Sequence, residues 1–154
     1  MKAGRATVGV VLGMGAILLV ARAGGAEGPA APPDPQVVQQ HVEEVQKQIA
    51  GRENETAETV FKNIQIFKGF PAGRVVRIMQ MGFVGSVGVE CAHCHTPGEW
   101  EKDDKEPKQI ARKMWGMMGD INKQVRTIKS DAAVNCYTCH RGSPEPLLNP
   151  PPQG

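Results

Sequence analysis

Two short stretches, CAHCH at residues 91–95 and CYTCH at residues 136–140, decide what kind of fold this chain can form. Both are copies of the pattern C-x-x-C-H, and together they contain all four cysteines of the chain. This pattern is the attachment signature of a c-type haem. Residues three and four apart on a helical turn share one face, so the two thiols can reach the two vinyl groups of one porphyrin. The histidine then lies beneath the ring, where it can ligate the iron.

Three other interpretations of the cysteines compete with haem attachment. Two C-x-x-C pairs can form one Cys₄ zinc site, but the 41 residues between the pairs are far more than the usual zinc spacing. The pairs can also be redox-active dithiols or structural disulfides, and neither explains why a histidine follows both pairs. We therefore expect two c-type haems, each with one iron. The attaching cysteines and ligating histidines are Cys91, Cys94, His95, Cys136, Cys139 and His140.

The composition favours a core that needs support from a prosthetic group. The 154 residues suggest one domain, and two Trp, one Tyr and four Phe supply little bulk. Small cores otherwise depend on disulfides or metals. The fold class we expect is all-α, a small multihaem c-type cytochrome with four or five helices packed around two covalent haems.

The first 23 residues have the pattern of a secretory signal. Lys2 and Arg5 form a charged region, residues 7–20 form a short apolar run, and Ala21-Arg22-Ala23 offers a cleavage site. A retained membrane anchor is the alternative, although a span needs roughly 20 apolar residues. We expect a signal at 1–23, a Pro/Ala-rich linker at 24–36, a dihaem domain at 37–142 and a Pro-rich tail at 143–154, in a periplasmic protein.

The charge balance gives no support for a nucleic-acid partner. Residues 1–23 carry three of the 18 basic residues and none of the 16 acidic ones, so the remainder has 15 basic and 16 acidic residues. A formal charge of −1 is not that of a nucleic-acid-binding protein.

Apolar periodicity predicts four helices and no strand. They run from 37 to about 52, from about 55 to 67, from Pro71 to Gly85 or Gly88, and from Pro107 to about 129. On the third helix Val75, Met79 and Phe83 should share one face. On the longest helix six apolar residues form one narrow stripe. They are Ile110, Met114, Met117, Ile121, Val125 and Ile128.

Each iron also needs a second axial ligand or an open position. Beyond residue 23 the methionines are Met79, Met81, Met114, Met117 and Met118. Met79 lies 12 residues before the first motif, and Met114 lies 22 before the second. Methionine at helical spacing is more commonly core filler, which we expect of Met117 and Met118. His41 is an alternative ligand, whereas His93 should point away from its own iron.

Basic residues cluster near both motifs. A basic cluster is usually a solvated face, but one or two of these residues can pair with haem propionates here. They are Lys105, Lys108, Arg112, Lys113 and Arg141.

The stretch from Asn63 to Gly142 resembles the cytochrome c subunit of photosynthetic reaction centres, and in particular its short two-haem relatives. The matching pieces are NIQIFKGFP (63–71), the Met79-Gln80 pair, VGVECAHCH (87–95), EKDDKEPKQIARKMWGMMGDIN (101–122) and VNCYTCHRG (134–142). The resemblance implies Met79 as second ligand of the first haem and Met114 as that of the second. The full-length subunit has four haem motifs, whereas this chain has two. In the family the long helix also carries a histidine that serves another haem, and Ile128 stands at that position here. The chain therefore resembles one half of the subunit, complete in itself.

The resulting hypothesis is a periplasmic electron-transfer protein with two His/Met-ligated haems, and not an enzyme. No acid–base pair stands out near either motif, so we predict no catalytic residue. The alternatives are a dihaem peroxidase or reductase, and a fixed haem subunit of a membrane oxidoreductase or reaction centre. The expected partners are redox proteins, with a membrane-bound oxidoreductase or reaction centre as a candidate, and not nucleic acid.

Overall fold

The computed structural model describes residues 32–149 as helices joined by irregular segments. No strand occurs in that range, which confirms the all-α class. The elements are α1 (Pro35–Gln48), α2 (Ala57–Val60), α3 (Ala72–Arg77), a π-helical segment (Ile78–Val84), α4 (Gly85–Val87), α5 (Cys91–Cys94), α6 (Glu106–Ile128) and α7 (Cys136–His140). The predicted signal, residues 24–31 of the linker and residues 150–154 of the tail lie outside the described residues. Within 32–149 no helix has both the length and the apolar character of a membrane span.

Helix α1 begins two residues before the predicted start. The Asp34 carboxylate accepts a hydrogen bond from the Gln36 amide at 2.8 Å, and Pro35 occupies the first helical position, where a missing N–H is not needed. The helix ends at Gln48, before Gly51 with its φ of 80°. One face of α1 packs on α3 in a small core of Val38, Val42, Ile49, Ala72 and Val76.

The predicted second helix over residues 55–67 is wrong, because only Ala57–Val60 is helical. Asn63 has a φ of 59°, a left-handed conformation that a continuing α-helix cannot contain. The chain instead loops, and the Ala57 amide donates to the Phe70 carbonyl at 2.7 Å. The loop turns Phe67 inward until only 1% of it is exposed. It forms a second small core with Ala57 and Val75.

The third predicted helix exists, but its middle is a π-helix. It starts after Pro71, passes through Gly85, and ends at Gly88, whose φ of 73° is left-handed. The π-helical segment contains Met79, and π-helical turns frequently occur at functional sites. Sequence periodicity did not indicate this change of helical pitch.

Gly88 also marks a close approach between the segments that flank the two C-x-x-C-H motifs. The Gly142 amide donates to the Ser86 carbonyl at 2.9 Å. A Cβ atom on Gly88 would lie 2.0 Å from the Gly142 carbonyl oxygen, so only glycine fits. The backbone before the first motif is thereby tied to the backbone after the second.

The longest predicted helix is confirmed as α6, but its apolar stripe is not a polypeptide core. Met117 is 50% exposed and Ile128 is 85% exposed. The polypeptide alone therefore does not bury Met117, and Met118 is half-buried. The buried apolar residues of 32–149 lie instead on α1, α3 and the loop between them.

Candidate haem sites

The first motif forms one helical turn that ends in a fixed histidine. Cys91 and Cys94 begin and end α5, and His95 follows it. The His95 ring donates from Nδ1 to the Trp100 carbonyl at 3.0 Å. This hydrogen bond assigns the proton to Nδ1 and leaves Nε2 as the metal-binding nitrogen, as in most histidines that ligate metals.

The first cavity, of about 430 Å³, brings the predicted first-site residues together. Cys91, Cys94 and His95 line it from one motif, and Met79 lines it from the π-helical segment. Val75 and Phe83 line it too, which confirms that they share a face with Met79. Walls of this kind, mostly apolar with a few directed polar groups, are typical of cofactor pockets. The residues present therefore fit a porphyrin with two axial ligands.

The ionisation of this site suits metal binding. Burial is the largest effect on the pKa of His95 and lowers it. The cations Lys108 and Arg112 lower this pKa further, whereas the hydrogen bond to the Trp100 carbonyl raises it. The imidazole is thereby kept neutral, the form in which histidine binds a metal. Burial raises the pKa of the Cys91 and Cys94 thiols, the reverse of the lowered pKa that a reactive dithiol needs.

The cysteines do not support the zinc or disulfide interpretations. No disulfide joins any two of the four cysteines in the described part of the chain. Among residues 32–149 no three side chains of His, Cys, Asp or Glu converge as a metal cluster, so the two cysteine pairs do not form a shared zinc site.

Two of the five predicted basic residues line the first cavity. Lys108 and Arg112 both pair with Asp103, at 3.2 and 2.9 Å, and hold the pKa of that carboxyl well below its usual range, chiefly through the hydrogen bond from Arg112. Lys108 is only 8% exposed, and its ammonium also donates to the Trp100 carbonyl at 2.9 Å. Lys105 donates to the Ala92 carbonyl inside the first motif.

The second motif repeats the local arrangement of the first. Asn135 caps α7: its side chain accepts from the Thr138 amide, and the Thr138 hydroxyl accepts from the Asn135 amide, both at 3.1 Å. The His140 ring donates from Nδ1 to the Ser143 carbonyl at 3.0 Å. As at His95, Nε2 is left as the metal-binding nitrogen.

The second cavity, of about 830 Å³, contains only part of the predicted second site. Cys136 lines it, together with Trp115, Met118 and Met81. Met114, the predicted ligand, is 40% exposed and lies one helical turn before Met118, outside the lining residues. Cys139 and His140 are not among them either. The ligand set of the second site therefore remains a prediction.

Sequence reasoning missed Trp100 and considered His41 only as an alternative iron ligand. Both line the first cavity, and their rings meet edge to face with centroids 5.3 Å apart. Trp100 stands in a charged, turn-rich stretch that has no apolar periodicity to mark it. Its position five residues after His95 was the one available signal.

Known proteins match most of this chain. Residues 25–148 match the family described as photosynthetic reaction centre cytochrome C subunit. The photosynthetic reaction center cytochrome c subunit of Thermochromatium tepidum is 34% identical over 91 residues, or 58% of this chain and 22% of that protein. The corresponding subunit of Roseobacter denitrificans is 29% identical over 123 residues, or 74% and 32%. Cytochrome c-554 of Chloroflexus aurantiacus is 28% identical over 88 residues, or 55% and 21%. The matches thus span about a fifth to a third of these relatives.

Proposed function

The chain belongs to the family of photosynthetic reaction centre cytochrome c subunits, and from that premise we propose that it is an exported electron-transfer protein with two covalent c-type haems. The observation that carries the proposal is the meeting of Met79, Cys91, Cys94 and His95 around one cavity. Such a haem supplies reversible one-electron chemistry between ferric and ferrous iron. The protein controls the potential of that iron and the exposure of the haem edge.

At the first site the roles follow from the donors. Cys91 and Cys94 would hold the porphyrin through thioether bonds, and His95 would ligate iron through Nε2. Met79, on the π-helical segment, would supply the second axial ligand. A thioether favours ferrous iron, so this ligand set raises the potential relative to two imidazoles.

The geometry favours Met79 over His41 as that second ligand. The Trp100 ring contacts both His41 and His95, with centroid distances of 5.3 and 5.7 Å. Two imidazoles on one iron have the porphyrin between them. A tryptophan ring in contact with both would occupy the space of that porphyrin. His41 and His95 therefore do not suit one iron.

At the second site Cys136, Cys139 and His140 would have the corresponding roles. The family resemblance assigns the second axial ligand to Met114. Its partial exposure on α6 is compatible with that role, because a haem seated over the apolar stripe would cover it. Met118 is the competing donor, since it shares the second cavity with Cys136.

The setting of this function is a further part of the proposal. We place the protein in the periplasm, where it would exchange electrons with a redox protein, and a membrane-bound oxidoreductase is one candidate. The names of the relatives make a reaction centre one such partner. With two axial ligands each, neither iron would have a vacant position at which a substrate could bind.

Intact mass and spectroscopy test the proposal on protein from a host that matures c-type cytochromes. We expect a mass that exceeds the processed chain by two haems, and optical and EPR spectra of low-spin haem alone. A mass of the bare chain, or of the chain plus zinc, would overturn haem attachment. A stable high-spin fraction would instead favour an open iron, as in a peroxidase.

A further inference from the structure

Two buried ring nitrogens at the first cavity have no hydrogen-bond partner within residues 32–149. They are Trp100 Nε1 and His41 Nδ1. The nearest carboxylate oxygen to His41 Nδ1, from Glu44, is 3.7 Å away and too distant to accept. Leaving a buried polar group unpaired destabilises the folded protein, because the group has lost its hydrogen bonds to water. Both residues line the cavity, so a ligand in that cavity can remove this cost.

The Trp100 indole is held in place and cannot turn toward solvent without breaking other contacts. Its ring lies edge to face against both His41 and His95. Its backbone carbonyl accepts hydrogen bonds from His95 Nδ1 and from the Lys108 ammonium. The indole nitrogen can only donate a hydrogen bond, so the missing partner must be an acceptor.

The surrounding charges favour an anionic acceptor. Lys108 and Arg112 line the same cavity, and their side chains are 10% and 12% exposed. Asp103 balances one of these two cations, so the three groups together carry a formal charge of +1. The other charged residues of the lining are Lys62 and Glu101, which pair with each other at 3.6 Å, and Glu90, so the positive charge is local to the buried Lys108 and Arg112. An anion interacts more strongly with a buried cation than with an exposed one, because the dielectric constant is lower in the protein interior.

We propose that Trp100 Nε1 donates a hydrogen bond to a propionate carboxylate of the haem attached at residues 91–95, in the positive field of Lys108 and Arg112. The inference rests on the proposed function, because the carboxylate belongs to the haem that this motif would hold. The His41 ring packs edge to face against the indole, with the two ring centroids 5.3 Å apart. This hydrogen bond would give Trp100, which follows the first motif, a role in holding the haem.

The substitution Trp100→Phe tests the bond, because it keeps an aromatic ring and deletes the N–H. Intact mass first establishes that the wild type and the variant carry two haems. In the resonance Raman spectrum we expect one propionate bending mode to shift in the variant. We also expect one of the two potentials to fall, because a less neutralised carboxylate stabilises ferric iron. EPR spectra should stay low-spin, which separates this effect from loss of an axial ligand.

Gln39→Met provides a control outside both motifs. It removes one exposed side-chain donor, Gln39 Nε2, which donates to Glu43 Oε1 at 2.9 Å, and Gln39 lines neither cavity. The propionate modes should be unchanged in this variant. If Trp100→Phe carries two haems and its propionate modes and potentials are unchanged, the inference is overturned. The indole N–H would then donate to a water molecule. A wild-type mass without two haems would instead overturn the proposed function.

A measurement on the wild type covers the case in which Trp100→Phe fails to mature. With ¹⁵N-labelled tryptophan, the ferrous protein should give two indole N–H signals, because the chain has two tryptophans. The signal of Trp100, identified by its proximity to the haem-shifted His95 resonances, should exchange slowly with deuterium. Rapid exchange of that proton would contradict a direct bond to the carboxylate.

Discussion

Removing a thioether ligand from a haem iron changes both its spin state and its potential. For Met79→Ala we expect one of the two haems to become high-spin and its potential to fall, because methionine stabilises ferrous iron. EPR and a redox titration measure the two effects. Leu148→Ala is the control, since Leu148 is 93% exposed and lines neither cavity. Two unchanged low-spin signals in Met79→Ala would exclude Met79 as a ligand.

The second site requires a choice between methionines one helical turn apart on α6. We expect Met114→Ala to convert one haem to high-spin and to lower its potential, whereas Met118→Ala should leave both haems low-spin. The same EPR and redox measurements separate the two variants. The reverse pattern would assign the ligand to Met118, which shares the second cavity with Cys136.

Asp103 should make the free energy of unfolding depend on pH in the acid range. Its hydrogen bonds, first of all that from Arg112, lower its pKa in the folded protein below the ordinary 3.8. The ionised carboxylate therefore contributes stability that is present above pH about 4 and is lost as the pH falls through the lowered folded value. We expect Asp103→Asn to unfold at lower urea concentration at pH 7, and the difference from wild type to shrink below pH about 4.

Asp120→Asn is the control for that experiment. Asp120 also pairs with a lysine, Lys123 at 2.8 Å, but the two side chains are 70% and 79% exposed. Exposed pairs contribute little, so its urea midpoint should match wild type at every pH. A constant difference between Asp103→Asn and wild type from pH 7 to 3 would contradict the assigned role of Asp103.

Among the elements, the turn at Gly88 should tolerate no side chain. Gly88→Ala would place a Cβ 2.0 Å from the Gly142 carbonyl oxygen in a left-handed conformation, which costs about 1–2 kcal/mol before the clash is added. We expect a lower urea midpoint and a loosened contact between the two motifs. Gly116→Ala on α6 meets no atom within 4 Å and should stabilise the protein by about 1 kcal/mol. Equal stability of both variants would contradict the close approach.

Helix α6 was predictable from sequence because Pro107 marks its start and its apolar residues repeat at helical steps over many turns. The second predicted helix failed because the same repeat in residues 55–67 is interrupted at Asn63, whose left-handed backbone sends the chain into a loop. The π-helical segment could not be foreseen, since α- and π-helices share nearly the same apolar pattern over seven residues. The motifs identified Cys91, Cys94 and His95, but Trp100 reached the first cavity through a turn that periodicity does not describe.

For the molecule as a whole we expect one-electron chemistry without substrate turnover. An iron held by His95 and Met79 would have no vacant position for peroxide. The protein should be reduced rapidly by a small mediator and should show negligible peroxidase activity at neutral pH. Turnover of hydrogen peroxide at about 1–10³ per second by intact, fully low-spin protein would favour the enzyme instead.

The hydrogen bond from Gly142 to Ser86 has a consequence for the order in which the chain is completed. A ribosome delivers the N-terminal part first, so this bond cannot form until residues beyond the second motif have been synthesised. Until then the polypeptide between Ser86 and Gly142 is an open loop, whose closure costs entropy. Both cysteine pairs lie between Ser86 and Gly142 in the sequence, so this bond closes one loop around both motifs, and a chain that stopped after the first motif would leave that motif without its tie.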